Sequence, residues 1–124
     1  MEEASRFDDQ LAKLGELLRV ADEQHATESL CVFDAQLTRY VRGEEHLLFP
    51  VLERFTSVSP AITGRMRIEH RGLRRLVDDL WEALTRGDHR RSLDLVTSLR
   101  SVLLLHVAKE DWLLHPVLRP GSAA

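Results

Sequence analysis

The sequence predicts an all-α fold, an up-down-up-down antiparallel four-helix bundle, in one domain that spans residues 1–124 and has its core at about 6–118. Two observations support this fold. The sequence lacks the sustained alternation of apolar and polar residues, and the Asn-Gly or Asp-Gly turns, that are typical of β-hairpins. It instead contains four segments in which apolar residues recur in steps of three and four, separated by short breaks.

The breaks between these segments carry helix start and stop signals. We place the helices at about 6–22, 27–54, 61–86 and 90–118. Pro60 is suited to the first turn of the third helix. Gly87 is suited to the end of that helix, and Asp88 to the cap of the next one. Short connections of this kind favour antiparallel neighbours.

Each predicted helix has one stripe of residues that we expect to face the core. The stripe of the first helix comprises Phe7, Gln10, Leu14, Leu17 and Ala21, and that of the third comprises Met66, His70, Leu73, Val77, Leu80 and Leu84. The stripe of the second helix comprises Leu30, Phe33, Leu37, Tyr40, Glu44, Leu47 and Val51. The stripe of the fourth comprises Val96, Leu99, Leu103, His106, Glu110, Leu113 and Val117.

Polar residues interrupt each stripe at one level. They are Gln10 in the first helix, Tyr40 and Glu44 in the second, His70 in the third, and His106 and Glu110 in the fourth. An α-helix rises about 1.5 Å per residue, so sequence distance from a turn gives height in the bundle. His70 and His106 each lie 18 residues from position 88, on opposite arms of one hairpin. The sequence therefore predicts that these polar residues meet in one core layer.

The second and fourth helices repeat this layout almost residue for residue. Residues 44–52 read EEHLLFPVL, and residues 110–118 read EDWLLHPVL. Each copy supplies one carboxylate to the predicted layer. Pro50 and Pro116 each remove a backbone donor, which predicts a kink or an end of the helix just past the layer.

Two carboxylates and two imidazoles in one core layer favour a metal site. Burying an unpaired carboxylate costs several kcal/mol, which is a large part of a domain's stability of about 5–15 kcal/mol. A bound cation is the simplest compensation, and carboxylate/histidine pairs on facing helices are how bundles hold metals. The candidate ligands are Glu44, His70, His106 and Glu110, which suit iron, manganese or zinc.

Three motifs together resemble the hemerythrin-like family, also called the HHE cation-binding domain family. They are His106-Val-Ala-Lys-Glu110 in the fourth helix, Ile-Glu-His70-Arg in the third, and Glu44 followed by Leu48-Phe49-Pro50 in the second. The resemblance covers about residues 6–118. It implies a four-helix bundle with a carboxylate-bridged di-iron centre. It also implies a role in oxygen binding, iron handling, or redox and oxygen sensing.

The chain departs from the family pattern at three positions. Tyr40 and Gln10 stand where the family has histidines in the second and first helices, and Arg74 stands where many members have a second histidine in the third. Two metal sites stay open. One holds a single ion on the four candidate ligands. The other holds two ions, with the Tyr40 phenolate on the second ion and Gln10 as a weak oxygen ligand or a hydrogen-bond donor to a ligand.

A metal-free layer is the alternative interpretation. Arg74 lies one helical turn from His70 and is long enough to pair with Glu44 or Glu110 in place of a cation. Arg74 and partly protonated histidines together could satisfy the two carboxylates without metal. The polar layer would then be a structural ion network, and the protein would act by binding a partner.

Composition narrows the function. The sequence contains no Ser-His-Asp arrangement and no Gly-rich phosphate loop, so we expect binding, with dioxygen or another small molecule as a further ligand, rather than catalysis. The net charge of −3 predicts no general attraction to nucleic acid or to anionic membranes. We interpret the arginines of the third helix as a solvated face. Homo-oligomer formation is left open.

The single cysteine and the length of the apolar runs indicate in which cellular compartment we expect the protein. Cys31 cannot form an internal disulfide, which suits a reducing cytoplasm, and we expect it to be a small buried or half-buried side chain. No apolar run reaches the roughly 18 residues that suggest a membrane span, and the acidic first residues do not resemble a signal peptide.

Overall fold

The computed structural model describes residues 2–118, with side chains over residues 3–112. The helices are α1 (Glu2–Arg19), α2 (Glu23–Gly43), a π-helical segment (Glu44–Leu48), α3 (Phe49–Phe55), α4 (Pro60–Thr85) and α5 (His89–Leu118). The α2 helix, the π segment and α3 follow one another without a break and correspond to the predicted second helix. The described residues contain no strand, which confirms the all-α prediction.

The helices form the predicted four-helix bundle. Helix α1 packs against α2 and α5, and helix α4 packs against α5 and against α2 and α3. The order around the bundle is therefore α1, α2, α4 and α5, with sequence neighbours joined by short turns. Among the described residues, no helix combines the length and the apolarity that a membrane span requires.

Two of the turns end in the same hydrogen-bonded motif. After α4, Gly87 has a φ of 71°, and the Asp88 N–H donates to the Ala83 carbonyl at 3.0 Å. After α1, Ala21 takes the equivalent place with a φ of 57°, and the Asp22 N–H donates to the Leu17 carbonyl at 2.9 Å. The prediction that Ala21 continues the inward stripe of the first helix is therefore wrong. Ala21 is exposed because it reverses the chain.

The other side chains of the predicted stripes form most of the core. Those buried are Phe7, Leu14, Leu30, Phe33, Leu37, Met66, Leu73, Val77, Leu80, Val96, Leu99 and Leu103. The rings of Phe7 and Phe33 pack edge to face with centroids 5.7 Å apart, which joins α1 to α2. Leu113 and Val117 lie outside the residues whose side chains are described.

The π segment changes the register of the second stripe. The Phe49 N–H donates to the carbonyl of Glu44, five residues back, so this turn holds one residue more than an α-helical turn. As a result Phe49 (0% exposed) and Leu52 (2%) face the core. Leu47 (71%) and Val51 (51%), which a regular α-helix would bury, face outward. Their predicted inward orientation is wrong for this reason.

The prolines do not end the helices. Pro50 lies in the first turn of α3, where a missing N–H is tolerated, and the helix continues to Phe55. Helix α5 likewise continues through position 116 to Leu118. The wide turn just before Pro50 accommodates the proline by changing register.

The register shift is testable by paired truncations. We expect Leu52→Ala to reduce the free energy of unfolding by about 2–5 kcal/mol, because it opens a cavity in the core. We expect Leu47→Ala to change it by less than about 0.5 kcal/mol, because the side chain is in solvent. Urea unfolding followed by circular dichroism measures both. The opposite ranking would mean that the second helix is regular through residues 44–48.

Candidate metal centre

The four candidate ligands lie together in the middle of the bundle. Glu44 comes from the π segment, His70 from α4, and His106 and Glu110 from α5. One ligand atom from each lies within 4.8 Å of the others, and all four residues are at most 9% exposed. Within the part of the chain that the structure describes, no other three or more His, Cys, Asp or Glu side chains converge in this way.

The cluster is built from two histidine–carboxylate pairs. His70 Nε2 lies 2.8 Å from Glu44 Oε1, and His106 Nε2 lies 3.1 Å from Glu110 Oε2. His106 Nε2 is also 4.0 Å from Glu44 Oε1, which connects the pairs. The imidazole centroids are 4.9 Å apart. Both Nε2 atoms and both carboxylates thus face one small central volume.

A second carboxylate anchors the other nitrogen of each histidine. His70 Nδ1 lies 2.6 Å from Glu45 Oε2, and His106 Nδ1 lies 2.8 Å from Glu69 Oε1. Lys109 Nζ donates to the second oxygen of Glu69 at 2.8 Å. An imidazole held at Nδ1 by a carboxylate is fixed in orientation and more basic at Nε2, which is how metal-binding histidines are commonly held.

Glu45 and Glu69 are the functional residues that sequence reasoning missed. Each lies next to a candidate ligand in the chain, Glu45 beside Glu44 and Glu69 beside His70. A residue one position before a core-facing one points to the flanking helix, so Glu69 could have been placed toward α5 from its spacing. Glu45 reaches His70 from beside Glu44 at the start of the π turn, which the sequence did not reveal.

Tyr40 and Gln10 lie in different surroundings. The Tyr40 hydroxyl donates to Glu110 Oε1 at 2.5 Å, so Tyr40 adjoins the cluster. Burial and the negative charges of Glu110 and Glu44 raise the pKa of Tyr40 far above its usual value, which keeps the phenol protonated. Gln10 Nε2 instead donates to Gln36 Oε1 at 2.7 Å, and Phe7 supplies the α1 side chain that packs on Tyr40.

The expectation that Arg74 reaches into the layer is wrong. Its guanidinium lies 2.6 Å from Asp34 Oδ1 and 2.8 Å from Asp78 Oδ1, on the outer side of the α2–α4 contact. Trp81 Nε1 also donates to Asp34, at 2.8 Å. Asp34 holds Arg74 outward because it offers both carboxylate oxygens in a half-buried position. The inward cation that a metal-free layer required is not supplied by Arg74.

The buried carboxylates differ in their protonation. Burial favours the neutral form of Glu44, but the two imidazoles outweigh it and hold the pKa of Glu44 below its usual range. Burial beside Glu44 raises the pKa of Glu110, because two close carboxylates do not both ionise easily. Burial also favours neutral His106, but Glu110, Glu44 and Glu69 outweigh it and raise the pKa of His106 to about 10.

Two atoms of the cluster test its fit to a cation. His106 Nε2 and Glu110 Oε2 are buried and lie 3.1 Å apart, outside hydrogen-bond geometry, so among the described residues neither has a hydrogen-bond partner. A buried polar atom without a hydrogen bond costs about 1–3 kcal/mol, part of which the attraction between these two groups offsets. Both point at the volume that Glu44 and His70 also face. A donor set of two imidazole nitrogens and carboxylate oxygens fits a divalent transition-metal ion placed there.

The other histidines whose side chains the structure describes, and the cysteine, lie apart from the cluster. His25 contacts Asp22 at 2.7 Å, His89 lies 3.5 Å from Glu23, and His46 is exposed. The side chain of His115 lies outside the described residues. Cys31 is exposed on α2, so the prediction that it is at least half-buried is wrong.

The comparisons with known proteins agree with this geometry. Residues 2–123 match the family model described as the hemerythrin HHE cation binding domain. No curated protein and no solved structure gives a match. The family match spans nearly the whole chain and includes all four residues of the cluster.

The contacts of Asp34 predict a pH-dependent stability. The hydrogen bond from Arg74 is the main reason that the pKa of Asp34 lies below its usual value in the folded protein. The hydrogen bond from Trp81 lowers it further. The stabilisation is therefore fully present above the unfolded pKa of about 3.9 and is lost as pH falls through the lower folded pKa. At neutral pH we expect Asp34→Asn to cost on the order of 1 kcal/mol. The difference from wild type should shrink as pH falls below about 4.

Urea unfolding at several pH values, followed by tryptophan fluorescence, measures this difference. Asp94→Asn is the matched control, because Asp94 is exposed on α5. A constant difference between Asp34→Asn and wild type across the acid range would show that the ion pair contributes nothing.

Proposed function

Because the chain belongs to the hemerythrin HHE cation-binding domain family, we propose that it binds one transition-metal ion in the core, with iron as the first candidate. Glu44, His70, His106 and Glu110 are the ligands of this proposal. The observation that carries it is the convergence of their ligand atoms within 4.8 Å in a buried layer. A divalent cation would compensate the two carboxylates and satisfy the two unpaired atoms.

The donors narrow the choice of metal, and the family resemblance puts iron first among the metals that fit. Two imidazoles and two carboxylates are a mixed nitrogen and oxygen set, which suits iron, manganese and zinc better than the thiolate-seeking or all-oxygen metals. Non-haem iron proteins commonly combine two histidines with carboxylate. Four protein ligands leave positions open on a six-coordinate ion, where dioxygen or another small molecule could bind.

The proposal favours one ion over two. The two-ion site would need Tyr40 as a phenolate and Gln10 as an oxygen donor. Gln10 is directed to Gln36, and the Tyr40 hydroxyl is engaged with Glu110 Oε1. We assign Tyr40 a positioning role, in which its hydroxyl holds Glu110 Oε1 and leaves Oε2 facing the centre.

We infer a binding function rather than catalysis. A bound iron ion would supply a one-electron redox couple, which suits oxygen or redox sensing and iron handling. The protein's own residues hold the ion in the interior and exclude bulk water from it, since the residues of the cluster are nearly inaccessible. The metal-free alternative, a structural ion network in a partner-binding protein, loses the Arg74 cation because Arg74 faces outward, but it keeps the positive charge of a protonated His106.

Metal analysis is the direct test. Protein purified after supply of iron, manganese and zinc in turn should retain about one ion per chain, and the His106→Ala variant should retain almost none. His46→Ala is the matched control, since His46 is exposed and outside the cluster. Elemental analysis gives the stoichiometry, and anaerobic calorimetric titration with ferrous iron gives the affinity.

The measured stoichiometry distinguishes the one-ion site, the two-ion site and the metal-free layer. About two ions per chain would restore the two-ion site and bring Tyr40 into it as a ligand. Wild-type protein that folds but takes up no ion would favour the structural network. Unchanged uptake in His106→Ala would refute the ligand assignment.

The anchoring carboxylates give a second, graded prediction. Glu45→Gln and Glu69→Gln should each weaken metal affinity by about 10- to 100-fold, because the imidazoles lose orientation and basicity. The stoichiometry should stay unchanged, since no ligand is removed. Glu16→Gln, an exposed change on α1, is the control for loss of charge. Calorimetric titration distinguishes the cases, and affinities equal to that of Glu16→Gln would mean that the anchors do not tune the site.

A further inference from the structure

The charges of the chain are segregated along the sequence. Residues 35–75 contain eight arginines and four carboxylates, a formal charge of +4. The rest of the chain contains nine basic and sixteen acidic residues, a charge of −7. These two values add to the net charge of −3. The small net charge therefore conceals one strongly basic region, which comprises the second half of α2, the π segment, α3 and the first half of α4.

Burial makes the surface of this region more basic than its sequence. All four of its carboxylates are buried or half-buried, and each contacts a histidine, an arginine or a lysine of the bundle. Every exposed charged residue between positions 35 and 75 is an arginine. These residues, which we call the arginine surface, are Arg39, Arg42, Arg54, Arg65, Arg71 and Arg75.

The six arginines of this surface differ from their neighbours in having no acidic partner. Arg67 pairs with Glu53 at 3.0 Å, and Arg74 pairs with Asp34 and Asp78. Among the described residues, no ion pair involves any member of the arginine surface. Asp78, which follows these arginines in α4, pairs with Arg74.

Large apolar side chains are interspersed among these arginines. Leu47, Val51, Phe55 and Ile68 are between 51% and 72% exposed. The first three follow one another at four-residue spacing because the π turn directs them outward. The guanidinium of Arg54 lies over the Phe55 ring at 5.4 Å, so charge and apolar area adjoin. The arginine surface therefore offers both ion-pairing groups and unpartnered apolar area.

Two depressions border the α2 part of the arginine surface. A cleft of about 370 Å³ between α2 and α4 is lined by Thr38 and Arg42 on one side and by His70 and Arg74 on the other. Thr38 and Arg42 also line a shallow groove that continues outward to Arg39, His46 and Leu47. The α2 arginines thus lie beside the contact with α4, the helix that carries Arg65, Arg71 and Arg75, and the acidic residues lie mainly on other parts of the chain.

We propose that the arginine surface docks on an anionic lipid membrane. Guanidinium groups pair with lipid phosphates and carboxylates, and exposed leucine, valine, isoleucine and phenylalanine side chains enter the headgroup boundary. The charge segregation orients the molecule, because the part of the chain with a charge of −7 is repelled while the arginine surface is attracted. Peripheral docking of this kind replaces the expectation of no membrane contact that the net charge suggested.

Lipid accounts for more of the surface than other polyanions do. A nucleic acid would satisfy the arginines but leave the exposed aliphatic side chains in water, and Phe55 is the one aromatic ring exposed between positions 35 and 75 for base stacking. An acidic protein would be expected to place an anchor residue in the cleft or in the groove. Val51, Phe55 and Ile68 line neither of these, and their exposed area suits insertion into a lipid headgroup layer.

The test is co-sedimentation of the full chain with vesicles. Wild type should bind vesicles of phosphatidylcholine with about one-third phosphatidylserine, and should bind pure phosphatidylcholine vesicles far more weakly. The variant Arg42→Gln/Arg71→Gln/Arg75→Gln should bind the anionic vesicles at least about tenfold more weakly.

A second triple variant is the matched control. Arg6→Gln/Arg19→Gln/Arg90→Gln removes three exposed arginines outside the surface and leaves the same net charge. It should bind nearly as well as wild type. The variant Leu47→Ser/Phe55→Ser should lose the part of the binding that persists at high salt. Circular dichroism confirms that each variant is folded.

Several outcomes would overturn the proposal. These are no binding of wild type to the anionic vesicles, equal weakening by the two triple variants, or binding to a short duplex DNA with no binding to vesicles. The last result would assign the surface to nucleic acid. His106→Ala should bind vesicles like wild type, so failure of the metal proposal and failure of the membrane proposal are distinguishable.

Discussion

The fold depends on how four ionisable side chains are held in the core of a small bundle. Glu44, His70, His106 and Glu110 occupy a level where every neighbouring stripe would otherwise be apolar. Their desolvation opposes folding by several kcal/mol per ion, a cost comparable with the whole stability of such a domain. The protein meets it in two ways. It pairs each imidazole with an inner carboxylate, and it ties each imidazole to an outer carboxylate that reaches solvent.

The outer carboxylates orient the two imidazoles of the layer. Glu45 and Glu69 take the Nδ1 atoms, so the Nε2 atoms have one direction left, toward the centre. Lys109 holds Glu69 in turn, and Phe49 stacks on the His70 ring at 5.7 Å. What the outer residues cannot satisfy are His106 Nε2 and Glu110 Oε2. The unpaired atoms therefore lie where all the orienting contacts converge, which is the arrangement that a preformed cation site requires.

The sequence could predict this layer because helical rise is nearly constant. Equal distances from a turn placed His70 and His106 at one height without any knowledge of packing. The same reasoning failed wherever the helix departs from 3.6 residues per turn. The π segment rotates everything after Glu44, so Leu47 and Val51 were assigned to the wrong side, and Glu45 was overlooked. Arg74 was misplaced for a different reason. The long Arg74 side chain can turn toward the core or toward the surface. Spacing within one helix cannot show that Asp34 on α2 is available as a partner on the surface side.

The π turn also places the proposed metal site and the arginine surface next to each other. One added residue keeps Glu44 in the layer, brings Phe49 under His70, and turns Leu47 and Val51 out beside the arginines. The cleft between α2 and α4 has His70 in its wall and Arg42 at the arginine surface. A membrane docked on that surface would cover the mouth of this cleft. Access to the buried layer and contact with lipid would then compete for the same face, even though each rests on different side chains.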